Sequence, residues 1–187
     1  MLSLAYELER EIIINGVTYQ IDLSFDVVLR VFDLLRDDEL NDADKYITAI
    51  QMFLDDVPTC EPEELVATFN AIMNELVYPE TIKPKLDLAG KPLKTDSKKA
   101  NYSLVHDADY IYASFLQAYG IDLLAVRGQL DWAKFNALLN GLPDDTKFKQ
   151  VIEIRERPFA KGKGVQKENE ALRNLKQVYA LPREGGE

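Results

Sequence analysis

Leu65, Phe69, Ile72 and Leu76 stand four, three and four residues apart, a spacing that lines one face of an α-helix. The same period returns along most of the chain. Val27, Val28, Val31, Phe32, Leu34 and Leu35 share a broad arc that leaves Arg30 and Asp33 outside, and Tyr46, Ile47, Ile50, Phe53 and Leu54 make a second set. Helix ends are marked as well. Ser24 and Asn41 are suited to N-caps, Asp26 to a first turn, and Pro62 to a first position where its missing N–H is not needed. Gly120 fits just past a last turn, in the left-handed region. Further helices are expected over about 131–140, 145–155 and 166–180. The start of the chain departs from this period in another way. Ile12-Ile13-Ile14 and Val17-Thr18-Tyr19-Gln20-Ile21 flank Asn15-Gly16, a two-residue hairpin turn. The expected fold is therefore mainly α, a helical domain with a short N-terminal β-hairpin.

One stretch has no period at all. Residues 79–101 hold three prolines, one glycine and six lysines, and read as a loop or linker. The organisation expected from this is a hairpin plus helices over 1–78, a lysine- and proline-rich linker over 79–101, and a helical core over 102–157 continuing the same domain. A hinge at Ala160-Lys161-Gly162-Lys163-Gly164 then leads, within 158–187, into an amphipathic C-terminal helix. Leu172, Leu175 and Tyr179 fall on one narrow stripe of that helix.

Charge is distributed unevenly. The whole chain carries −10, and residues 1–80 alone carry −14, whereas 81–106 carry +4. An acidic first half repels nucleic-acid phosphates, so no nucleic-acid partner is expected. No apolar run reaches the roughly 20 residues of a membrane span, and the first residues lack the pattern of a secretory signal. With one cysteine, Cys60, and one histidine, His106, there is no disulfide framework and no Cys/His zinc set. The expected location is a reducing cytoplasm.

Signs of bond-making chemistry are scarce. No glycine-rich phosphate loop is present, and Cys60 has no base beside it in sequence. The pairs Asp37-Asp38, Asp55-Asp56, Asp107/Asp109 and Asp144-Asp145 read as caps, first-turn charges or solvated faces. No catalytic residue, metal site or cofactor is expected.

Residues 107–124, DADYIYASFLQAYGIDLL, raise a different question, because aromatic residues crowd one short run. At 3.6 residues per turn, Ala108, Tyr112, Phe115 and Tyr119 form a seam flanked by Ile111 and Leu116, which suits a core. Tyr110 falls on the opposite face beside Ala113, Ser114 and Gln117, where a partner could reach it. Trp132 and Phe135, with Leu138 and Leu139 a turn later, read as core or as a docking spot. The candidate partner-binding residues are Tyr110, Trp132, Phe135, Leu172, Leu175 and Tyr179.

The runs DADYIYASFLQAYGIDL, DWAKFNALLNGLPDDTKFKQVIEIR and RNLKQVYAL resemble a family of tailed phages and prophages of Gram-positive bacteria, the Gp15-like phage proteins described as tail assembly chaperones. The hairpin followed by SFDVVLRVFDLL also resembles the way such proteins begin. The likeness covers most of the chain, with the lysine-rich linker and the extreme C-terminus matched least. One departure is Ala133, where the family often has a second aromatic beside the position of Trp132. The resemblance implies a non-enzymatic protein of the host bacterial cytoplasm that self-associates, binds the tape-measure protein, recruits tail-tube protein and is absent from the finished virion. It also implies that a frameshifted extended form can exist.

Amphipathic helices in an acidic body suit the task of keeping a long helical protein from aggregating. In that setting the C-terminal helix would dock in a neighbour's groove or fold back on its own core, and the hairpin edge offers strand pairing as a second contact. Three other readings stand beside this one: a structural tail or connector protein retained in the virion, an acidic inhibitor imitating DNA, and a hydrolase using a carboxylate pair.

Overall fold

A computed structural model describes residues 2–8, 10–54, 58, 61–78 and 101–182. Cys60, the pair Asp55-Asp56 and all of the 79–101 linker except Asn101 lie outside the described residues. The fold is mainly α with a two-stranded antiparallel hairpin at its start. Contacts divide the chain into two compact units, one formed by 1–84 with 124–138 and the other by 85–123 with 139–187. The 102–157 stretch, one piece in the division drawn from sequence, is thus shared between units.

In the first unit, β1 (Glu11–Ile14) pairs with β2 (Val17–Gln20), with Ile14 opposite Val17 and Ile12 opposite Tyr19. Asn15 (φ +51) and Gly16 (φ +79) supply the two positive φ angles that a twisted two-residue turn demands. The ladder runs one step further, because Ile21 N–H donates to the Arg10 carbonyl at 2.7 Å. Helix α1 (Phe25–Arg36) follows, with Ser24 at its N-cap. The Ser24 hydroxyl does not cap; its oxygen is buried and makes no hydrogen bond. Helix α2 (Asp42–Phe53) does begin at a working cap, Asn41, whose side chain accepts from Asp44 N–H at 2.9 Å.

Helix α3 (Pro62–Ala71) starts with its proline and runs into a wider π-helical segment, Ile72–Val77, closed by Tyr78 N–H on the Met73 carbonyl at 2.8 Å. The four-three-four stripe keeps Phe69 and Ile72 buried, and the wider winding brings Met73 and Val77 into the core as well. Helix α5 (Trp132–Asn140) opens in this unit. Ser24 bridges Asp131, Trp132 N–H donates to the Leu23 carbonyl at 2.8 Å, and Phe25 N–H donates to the Leu130 carbonyl at 2.9 Å. Around that strap Phe25 stacks on Phe135 at 5.1 Å and Trp132 meets Phe32 edge-on at 5.6 Å.

The second unit holds α4 (Ala108–Tyr119), the end of α5, α6 (Lys147–Glu156) and α7 (Gln166–Val178). Gly120 closes α4 at φ +66, as its sequence position suggests. The buried side of α4 is displaced from the expected seam, keeping its Phe115 and flanking Ile111 with Tyr112 and Tyr119 half-buried. Ile111, Ser114 and Phe115 are buried, whereas Ala108 and Leu116 are exposed. The reason lies in Ser114. Its hydroxyl donates to the Tyr110 carbonyl at 2.7 Å and accepts from Phe148 N–H at 3.0 Å, in the first turn of α6. That turn has N–H groups with no helical partner, and the N-cap Thr146 bonds the Pro143 carbonyl instead of capping. A satisfied serine is therefore buried where apolar counting placed it outside.

Candidate functional site

Asp107 and Arg155 lie 48 residues apart in sequence and form the most completely paired ionic contact of the second unit. Asp107 is 1% exposed. Its two carboxylate oxygens each accept from the Arg155 guanidinium at 2.7 Å, a two-pronged fork. One of these oxygens also accepts from Ser103 N–H at 2.9 Å. Arg155 has donors to spare. Nε reaches the Tyr179 carbonyl at 2.6 Å and a terminal nitrogen reaches the Asn101 carbonyl at 2.9 Å. The backbone carbonyl of Arg155 in turn accepts from Lys176 Nζ at 2.7 Å. One residue thus ties together the start of α4, the end of α6 and the end of α7. Of these, sequence reasoning singled out the Asp107/Asp109 pair and Tyr179, and nothing local in the sequence points from Asp107 to Arg155.

A second cluster sits at the other end of α6. Lys147 Nζ lies 4.5 Å from the centre of the Tyr179 ring and 5.8 Å from that of Tyr110, and bonds the Tyr179 hydroxyl at 2.7 Å. The two tyrosine rings meet edge to face at 6.0 Å. Tyr110 is consequently half-buried against its own unit and does not stand alone on an outer face.

The remaining candidates separate by burial. Trp132 and Phe135 are buried in the first unit, where their rings stack at 5.6 Å and the indole N–H donates to the Val77 carbonyl at 2.9 Å. On α7 the inward stripe is Val165, Asn169, Leu172, Lys176 and Tyr179, spaced four, three, four and three. Leu172 is buried, but Leu175 lies off the stripe and is 42% exposed, next to Val178 at 73%. The narrow stripe expected through Leu172, Leu175 and Tyr179 therefore loses its middle member. Lys176 takes part because its ammonium reaches a carbonyl and its stem lies along the unit. Asn169 closes the turn before the helix by bonding Ala160 on both sides, accepting from its N–H at 2.8 Å and donating to its carbonyl at 2.9 Å.

Other large apolar side chains are left in solvent. Leu4 and Tyr6 before the hairpin, Ile13 and Val17 on it, and Phe159 before α7 are all exposed. Sequence reasoning did not single out Leu4 and Tyr6, although their alternation with Ser3, Ala5 and Glu7 is readable. Among the described residues no three His, Cys, Asp or Glu side chains come together as metal ligands. An open depression is lined by Asp144, Lys149, Ile152, Glu153 and Glu156. No helix among the described residues is long and apolar enough to cross a membrane.

A family model described as "Bacteriophage Gp15 protein" matches residues 6–181. No curated protein and no solved structure matches the chain.

Proposed function

This chain belongs to the Bacteriophage Gp15 protein family, and from that premise we propose that it is a non-enzymatic tail assembly chaperone. It associates with itself, binds the tape-measure protein and tail-tube subunits while the tail is being built, and leaves before the particle is complete. It acts in the cytoplasm of the host bacterium. The observation that carries this reading is the set of large apolar side chains left in solvent on a chain of net charge −10. Apolar contacts of this kind cover a helical client reversibly, while like charge keeps the loaded complexes apart.

Co-expression tests it. With this chain present, the tape-measure protein encoded beside it is expected to pass from the insoluble to the soluble fraction and to co-elute on gel filtration. A tape-measure protein that stays equally insoluble with and without the chain overturns the reading. Mass spectrometry of purified particles checks the other half: the chain is expected to be missing, and a stoichiometric presence would make it a structural tail component instead.

A further inference from the structure

We propose that residues 2–8 are a strand donated to the β1 edge of a second copy of this chain. The sequence alternates Leu2, Leu4, Tyr6 and Leu8 with Ser3, Ala5 and Glu7, the period of a strand with one apolar face. Among the described residues the middle of this face has no cover: Leu4 and Tyr6 are 104% and 81% exposed, whereas Leu8 is half-buried. The segment is not paired as a strand, and its Ala5 and Tyr6 N–H groups turn back to the Ser3 hydroxyl.

The acceptor is the free side of the hairpin. In an antiparallel pair, alternate residues aim their backbone groups inward and outward. Because the two-residue turn makes Ile14 and Val17 an inward, hydrogen-bonded pair, Glu11 and Ile13 point theirs outward from β1. Among the described residues, no backbone hydrogen bond reaches this side of β1, and Ile13 is 71% exposed. On the other side of the hairpin the chain is engaged just past β2, where Ile21 bridges Leu54 and Asp22 N–H donates to the Phe53 carbonyl at 2.7 Å. Two strands alone are marginal in water, and a third completes them.

Among the described residues, no segment of the same copy fills this edge. Arg10 already belongs to the ladder, accepting from Ile21 N–H, and its guanidinium is held 3.2 Å from Asp131. Only Glu9 remains between it and Leu8. In the described structure the segment is not reversed onto its own β1, which has β2 as its one strand neighbour. Among the described residues, each copy therefore carries an unpaired strand-like segment and an unpaired edge, and a second copy supplies the match for both. Reciprocal donation closes a dimer, whereas head-to-tail donation gives a ring or filament. The inference rests on the proposed function only in naming the surface by which the chaperone would self-associate.

Two variants test it by sedimentation velocity, with circular dichroism confirming the fold of each. Leu4→Glu with Tyr6→Glu spoils the donor and touches no packed residue. Ile13→Pro spoils the acceptor, removing an N–H that points away from β2, as edge-strand prolines do. Each variant is expected to weaken self-association of the full chain by more than about tenfold. Mixed together, they are expected to form a 1:1 complex, because one retains the edge and the other the strand. Wild-type assembly by both variants, or two monomeric variants that do not complement, overturns strand donation. A defect seen only when the tape-measure protein is present also overturns it, by assigning the edge to that partner. Solubilisation of the tape-measure protein, measured in parallel, shows separately whether the chaperone reading stands.

Discussion

Asp107 shows how little a single residue's sequence context says about its environment. By sequence it is one of several acidic positions near a helix start; in the fold it is buried and held by both prongs of Arg155. Breaking one side of such a pair strands a charge without water. Asp107→Asn is expected to cost about 3–5 kcal/mol, read from the midpoint of chemical denaturation. Arg155→Lys should be nearly as damaging, because an ammonium cannot reproduce the fork. Two tyrosines give a pH signature. Burial raises the Tyr78 hydroxyl above its ordinary 10.0, with Arg36 opposing. The Tyr112 hydroxyl is raised by loss of solvent, then by the Asp122 charge and the hydrogen bond to it. A raised folded-state value means a proton held more tightly when folded, so these contributions are intact below pH 10 and are lost as pH rises beyond it. Tyr78→Phe and Tyr112→Phe are each expected to remove the most alkaline part of the phenolate absorbance titration.

At the scale of elements, helix existence was readable and helix orientation was not always so. Helices α1, α2, α3, α5, α6 and α7 follow from apolar period, caps and the Pro and Gly positions, with ends within about two residues of expectation except that α3 gives way at Ile72 to the π-helical segment. Helix α4 was expected in place but is displaced from its expected seam, since tyrosines tolerate both sides of a boundary and a satisfied Ser114 outcompeted them for the interior. Helix α7 makes the same point with lysine. Its attachment combines one buried leucine with bonds from Asn169 and Lys176 and to the Tyr179 carbonyl. Leu172→Ala is expected to loosen α7 by about 2–4 kcal/mol, seen as faster amide exchange in α7. Leu175→Ala should change exchange by less than about 0.5 kcal/mol, because its side chain is largely in water already.

At the scale of the whole molecule, charge and apolar exposure make different predictions about binding. The acidic surplus is concentrated in residues 1–80, and salt of about 0.5 M screens exposed charges beyond a few ångströms. Contacts made by side chains such as Leu4, Ile13 and Val178 do not depend on that screening. The proposed complex with the tape-measure protein is therefore expected to survive about 0.5 M salt in gel filtration. A complex that falls apart there would show that charge governs recognition and would favour the reading of an acidic mimic.

The chain's own order of residues determined the mainly α class, the hairpin with its Asn-Gly turn, most helix limits and the uneven charge, because each arises from neighbours a few residues apart. Tertiary structure decided the rest: the pairing of Asp107 with Arg155, the burial of Ser114 and Trp132, the exclusion of Leu175 from the α7 stripe and, among the described residues, the unpaired outer side of β1. The physical reason is that burial and hydrogen-bond satisfaction depend on groups brought together from distant positions, and a local period fixes which residues share a face without fixing what that face will meet.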